Sequence, residues 1–178
     1  MAESEQWRPV VGYEGLYEVS STGRLMSLSR EVMAHHGPRQ TGTRPMNPRV
    51  GKNGYYKVAL CRAGVYSHRM VHRLVAEAFG LLSEERPVVD HINGNKLDNR
   101  VENLRGVNRS ENTQNQRRAS SRNTTGFLGV GFEKQTNKFR AVIGVNGKYT
   151  TLGRFETAEA AHAAYVDAKR RLHPACSI

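Results

Sequence analysis

The sequence predicts an α+β chain. Its parts are a small N-terminal β module, a central strand–loop–strand–helix core, and a C-terminal three-stranded antiparallel sheet packed on one α-helix. Three observations carry this. Short alternating segments are punctuated by Gly, Asn and Pro turn signals. Two stretches repeat apolar residues at helical spacing. A polar run, ASSRNTT at 119–125, separates two unlike patterns and reads as a linker. The expected divisions are 1–52 (β module and basic arm), 53–118 (core), 119–125 (linker) and 126–178 (C-terminal domain).

Taken in order, Tyr17-Glu18-Val19-Ser20 reads as a strand, Ser21-Thr22-Gly23 as a turn, and Arg24 to Leu28 as the returning strand. Residues 31–50 hold Pro38, Pro45 and Pro48 and read as a long loop or extended basic arm. Gly54 to Leu60 is a strand, and Val65 to Ser67 a second. In SHRMVHRLVAEAFG, Val71, Leu74, Val75, Ala78 and Phe79 share a helix face, with Gly80 as the stop. RPVVDHINGNKLDNRVENLRGV reads as strand, polar loop, strand. NRSENTQNQRR reads as a helix opened by Ser110 as N-cap. Strands follow at 127–132, 139–145 and 149–155, the last two joined by an Asn146-Gly147 turn. A helix from about Thr157 to Leu172 faces inward through Ala161, Ala164, Tyr165, Ala168 and Leu172.

The 178 residues carry 27 Lys and Arg against 16 Asp and Glu, a net charge of +11. Residues 100–140 alone hold +6. No apolar run approaches the roughly 18 residues of a membrane span, and mean hydropathy is negative. The N-terminus lacks the basic start and apolar stretch of a secretory signal. Two cysteines, Cys61 and Cys176, supply neither a disulfide framework nor a zinc-ligand spacing, which suits a reducing cytoplasm. The charge favours a nucleic-acid partner, because Lys and Arg neutralise phosphates.

The most informative stretch is VVDHINGNKLDNRVENLRGVNRSENTQNQ. Asp90 and His91 end an apolar strand, Asn103 follows twelve residues after His91, and Asn112 nine later. By themselves Asp90 and His91 also fit a plain hairpin loop, since Asn93-Gly94 is a turn signal. The whole pattern over residues 68–118 resembles the HNH nucleases, in the phage homing branch where asparagine replaces the last histidine. That resemblance implies a ββα-metal core and hydrolysis of DNA phosphodiesters. It implies His91 as general base with Asn103 orienting it, and Asp90 and Asn112 as ligands of one divalent cation, magnesium first and manganese second. Oxygen ligands suit such hard cations, and histidine can take a proton from water near neutral pH. His68 and His72, four residues apart on the expected helix, read as one packing residue and one exposed. His35, His36, His162 and His173 read as surface.

The opening WRPVVGYEGLYEVSSTGRLMSL, with Trp7, Tyr17 and Gly23 in register, resembles a module found before HNH cores in phage nucleases. Trp7 and Tyr17 read as core residues. The C-terminal TGFLGVGFEKQTNKFRAVIGVNGKYTTLGRFETAEAAHAAY resembles the DNA-binding domain of plant ethylene-response factors. That family lays a three-stranded sheet in the major groove. Gly131, Phe132 and Glu133 stand where those proteins usually carry arginines, so no base preference transfers. The candidate DNA contacts are Arg24, Arg44, Lys52, Lys96, Arg105, Arg117, Arg118, Arg122, Lys134, Lys138, Arg140, Lys148 and Arg154. The expected partner is double-stranded DNA, bound by a monomer or weak dimer with no membrane role. The expected setting is the cytoplasm of a bacterial host, for a phage-encoded protein. The competing readings are a non-catalytic DNA-binding regulator derived from a nuclease, and an RNA-binding protein.

Overall fold

The computed structural model describes residues 4–35, 37–116, 119–120, 122–145, 147–173 and 176. It is a mixed α/β chain of several small antiparallel sheets and few helices. Two compact units divide between Val107 and Asn108.

In the first unit, strands β1 (Trp7–Pro9), β2 (Tyr17–Ser20) and β3 (Leu25–Ser27) form a meander. Alternation sends Tyr17, Val19 and Leu25 inward, and Gly23 closes the turn at φ +85°. The expected arm at 31–50 is structured. It holds a hairpin of β4 (Arg30–Ala34) and β5 (Gly37–Thr41), then the short strands β6 (Arg44–Pro45) and β7 (Arg49–Val50). β6 extends the first sheet beside β3, and β7 pairs with β8 (Tyr56–Arg62). Prolines read as loop signals, but Pro38 and Pro45 sit in edge strands where no ladder donor is missed.

β8 pairs with β9 (Val65–Met70), and helix α1 (Val71–Ala78) follows at once. His68 therefore lies on a strand, not on the helix with His72. Strands β10 (Val88–His91) and β11 (Leu104–Val107) pair antiparallel, joined by a loop that ends in a 3₁₀ turn at Val101–Asn103. One core joins all of this. Val10, Tyr17, Val19 and Leu25 of the N-terminal strands pack with Val58, Leu60, Leu74, Val75 and Leu104. Residues on both sides of residue 52 thus share one core.

The second unit opens with α2 (Arg109–Gln114), which the expected divisions had placed in the core segment. Its N-cap is Asn108 rather than Ser110. The Asn108 side chain accepts from Glu111 N (2.8 Å), and Glu111 Oε2 accepts from Asn108 N (2.9 Å), a reciprocal capping box. The expected linker also carries structure. Asn123 Nδ2 donates to the carbonyls of Phe127 and Val130, each at 3.0 Å. Strands β12 (Val130–Glu133), β13 (Lys138–Val145) and β14 (Lys148–Phe155) form a meander against helix α3 (Ala158–Leu172), capped by Thr157. Asn146 of the expected turn lies outside the described residues. The core is Val130, Ala141 and Ile143 against Ala158, Ala161, Tyr165 and Ala168. Leu172 is 48% exposed. His162 bonds the Leu128 carbonyl (3.0 Å) and buried His173 the Gly144 carbonyl (2.9 Å), so neither is a free surface residue.

Candidate functional site

The β10–β11 pair places Asp90 directly opposite Arg105, and His91 opposite Leu104. Asp90, His91 and Asn103 are all buried, at 7%, 5% and 6% exposure. Such burial of polar groups is tolerated only when they are hydrogen-bonded. Asp90 Oδ2 accepts from Arg105 Nε (2.9 Å) and Nη2 (2.8 Å). Asn103 ties the loop at both ends. Its Oδ1 accepts from Asn93 N (3.0 Å), its Nδ2 donates to the Asp98 carbonyl (2.8 Å), and its carbonyl accepts from Ile92 N (2.9 Å). Asn93 and Asn95 cap the next turns of the same loop through their own side chains. Arg100 clamps Asp98 with two hydrogen bonds, which hold its carboxyl down at about 2.

His91 Nε2 lies 3.2 Å from Asn99 Oδ1, and Asn99 is itself 5% exposed. The His91 ring meets His72 at 5.2 Å between centroids and 74° between planes, and Tyr55 at 5.7 Å. Tyr55 and His72 stand 4.7 Å apart. Lys96 Nζ sits 4.6 Å over the Tyr55 ring and donates to the Asn53 carbonyl at 3.2 Å. Burial lowers the His91 pKa; the Asn99 bond and the charges of Asp90 and Asp98 oppose this in part. Burial, with His91 and Arg73 adding to it, lowers His72 to about 4. Burial and the Asp90 charge raise Tyr55. Both imidazoles are therefore neutral near pH 7, and His91 can accept a proton.

Asn112 lies in the second unit, exposed on α2. Among the described residues no group of three or more His, Cys, Asp or Glu converges. An oxygen-donor set of one carboxylate and one amide suits magnesium, which keeps several waters and takes few protein ligands. Arg105 shares the Asp90 carboxylate that such an ion would use.

The basic candidates fall into three groups. Several are paired: Arg24 with Glu5, Arg105 with Asp90, Lys138 with Glu156, and Arg154 and Arg140 with Glu133. Arg44, Lys52, Arg122, Lys134 and Lys148 are exposed and form no ion pair among the described residues. Arg117 and Arg118 lie outside those residues. Arg49, which the sequence also offered, and Lys57, which it did not, line a concave face with Arg44 and Arg30, and no acidic residue lines that face among the described residues. Tyr55 and Asn99 were also missed. Their roles come from loop packing, and Asn99 reads locally as a turn former.

The strand–loop–strand–helix stretch matches the HNH endonuclease family over residues 69–114. A NUMOD4 motif matches residues 5–61. Both fall in order on the strands and loop just described, and the first spans the boundary between the units. The chain is 38% identical over 112 residues to the DNA endonuclease I-HmuI of Bacillus phage SP01, covering 62% of this chain and 57% of that protein. It is 35% identical over 117 residues to the uncharacterized HNH endonuclease L247 of Acanthamoeba polyphaga mimivirus, covering 63% and 26%. A solved structure of I-HmuI, described as an HNH homing endonuclease that binds and cleaves DNA, aligns with a TM-score of 0.50. Its sequence identity is 35%, over 62% of this chain and 57% of that one. The chain thus spans little more than half the length of the phage relative. No helix is long and apolar enough to cross a membrane, among the described residues.

Proposed function

We propose that this chain is a metal-dependent DNA endonuclease of the homing type, acting in the cytoplasm of a phage-infected bacterium. The observation that carries the reading is the buried Asp90–His91 pair at the end of β10, in a loop tied by Asn103, within an HNH-matched segment of a strongly basic chain. His91, neutral at working pH, takes the proton from the attacking water. Asn103 keeps the loop shaped so that the imidazole stays presented. Asp90 would supply a carboxylate ligand to a divalent cation, magnesium or manganese, and Asn112 is the candidate for an amide-oxygen ligand. When bound, the cation stabilises charge developing on the phosphate. Arg105 keeps the Asp90 carboxylate aimed through its two hydrogen bonds to Oδ2.

The duplex is held by exposed cations of both units. The concave face of Arg30, Arg44, Arg49 and Lys57 is the best backbone track in the first unit. Among the described residues, Arg30 there donates to neutral acceptors, the Leu16 and Leu28 carbonyls, Ser27 Oγ and Tyr17 Oη. An arginine without a carboxylate partner, on a face without acids, favours phosphate. In the second unit the outer sheet face, with Lys138, Arg140 and Arg154, serves base and backbone contact, together with Lys134 in the turn after β12 and Lys148 at the start of β14. A regulator without activity would have no use for Asp90, His91 and Asn112 together.

The test is incubation of a plasmid library with magnesium, comparing wild type with His91→Ala and Asp90→Ala. Wild type cuts, and His91→Ala loses about 10²–10⁴-fold in rate. Equal cutting by all three, or none by any, refutes the reading.

A further inference from the structure

The turn of the N-terminal module reaches the loop of the candidate active site. Gly23, at φ +85°, sits so close to Asn99 that a Cβ there would lie 2.9 Å from Asn99 Cβ and 3.1 Å from the Asn99 carbonyl oxygen. Two residues away on each side, Val101 N donates to the Ser21 carbonyl at 2.8 Å. Asn99 is thereby fixed from behind, and its amide oxygen stands 3.2 Å from His91 Nε2. Both side chains are buried. The His91 ring also meets His72 and Tyr55, at 5.2 and 5.7 Å between centroids.

We propose that Asn99 is a positioning residue for His91, and that the Ser21–Gly23 turn of the NUMOD4 segment holds it in place. An amide oxygen at Nε2 accepts a hydrogen bond only from a protonated nitrogen, so it selects the neutral tautomer with its proton on Nε2. That tautomer carries its lone pair on Nδ1. The module therefore does more than add binding surface: it completes the active-site loop. Gly23 is obligatory because any side chain would push Asn99 off the imidazole. The role assigned to His91 in this inference rests on the nuclease reading above; the tautomer does not.

The experiment measures ¹⁵N shifts of the His91 ring in the full-length protein, alongside cutting of supercoiled plasmid with magnesium and plasmid binding in EDTA. Wild type shows the Nε2–H tautomer. Asn99→Ala shows a tautomer mixture and a kcat lower by about 100-fold, the scale of a misplaced catalytic group, with DNA binding unchanged. Asn99→Asp retains an acceptor oxygen and restores the Nε2–H signature. Gly23→Ala moves the same His91 signals as Asn99→Ala, while a thermal melt confirms that the chain remains folded. A wild-type Nδ1–H tautomer overturns the proposal. So does an Asn99→Ala variant with unchanged ring signals, or one whose kcat and DNA binding fall together with its melting temperature. If wild type does not cut, the nuclease reading falls, and the ring signals still decide the role of Asn99.

Discussion

The two units differ in how deeply their candidate functional groups are buried. In the first, Asp90, His91, Asn99 and Asn103 are buried next to a core built from both sequence modules. In the second, the basic residues stand on the outer face of a sheet whose other face packs on α3. There Glu133 pairs with Arg154 and Arg140, and the paired Arg140 and Arg154 side chains are 47% and 49% exposed. The burial difference fits the tasks proposed for the two units. Proton transfer needs a few polar groups fixed in a dry setting, where hydrogen bonds hold them and pKa values move. A binding face needs mobile cations in water. Exposed pairs contribute little stability, so that face tolerates change.

Core truncation is the strongest way to break this contrast. Leu25→Ala, in the N-terminal module, is expected to cost about 2–5 kcal/mol and to lower cutting by disturbing the loop near Asn99. Ile143→Val, in the second core, is expected to cost about 0.5–1.5 kcal/mol and to leave the first unit's transition in place. Calorimetry resolves the two transitions; if both substitutions shift both, the units are not separate.

Acid sharpens the contrast next. His72 titrates at about 4 when folded and at about 6.5 unfolded. Its folded pKa is lowered, so between those values the unfolded chain binds the extra proton. Stability is full above about pH 6.5 and is lost as pH falls toward 4, by at most about 3 kcal/mol. Denaturant melts at pH 7 and 5 should show this loss for wild type and a smaller one for His72→Gln.

The rate should follow a related pH dependence. His91 must be neutral to accept a proton, and burial lowers its pKa. The acid limb of the kcat/KM profile should therefore bend below about 6.5, the ordinary histidine value. A bend above it would mean that the Asp90 charge outweighs burial.

The smallest effect belongs to the second unit's surface. Lys148→Ala should lower the salt slope of DNA binding by about 0.9 and change stability by no more than about 0.5 kcal/mol. Titrations at several salt concentrations measure the first, and a melt the second. An unchanged slope would remove Lys148 from the binding face.

The elements readable from sequence were those with local causes. Tyr17–Ser20 and Leu25–Ser27 alternate around a glycine turn. α1 carries its apolar face at helical spacing, and Thr157 caps α3 with its own hydroxyl. Within 31–50, β6 and β7 were not readable, because they exist only through pairing with β3 and β8. Ser110 and Asn108 are both good caps; the reciprocal bond with Glu111 decides for Asn108. His68 and His72 looked like helical neighbours until the strand-to-helix change at Val71 separated them. Gly106 gave no local sign of its role. A Cβ there would meet the Leu81 carbonyl oxygen at 2.0 Å, where the chain after α1 crosses β11.

By itself the sequence determined the residue types that can do this chemistry, their order and the charge that draws them to phosphate. Asp90, His91, Asn103 and the +11 charge are legible because carboxylate, imidazole, amide and ammonium chemistry belong to the residues. Tertiary structure alone decided that an N-terminal turn holds the His91 loop, and that Tyr55, His72 and Asn99 surround that ring. The physical reason is that such contacts join positions distant in the chain. Their energy comes from burial and steric fit, which no window of local sequence contains.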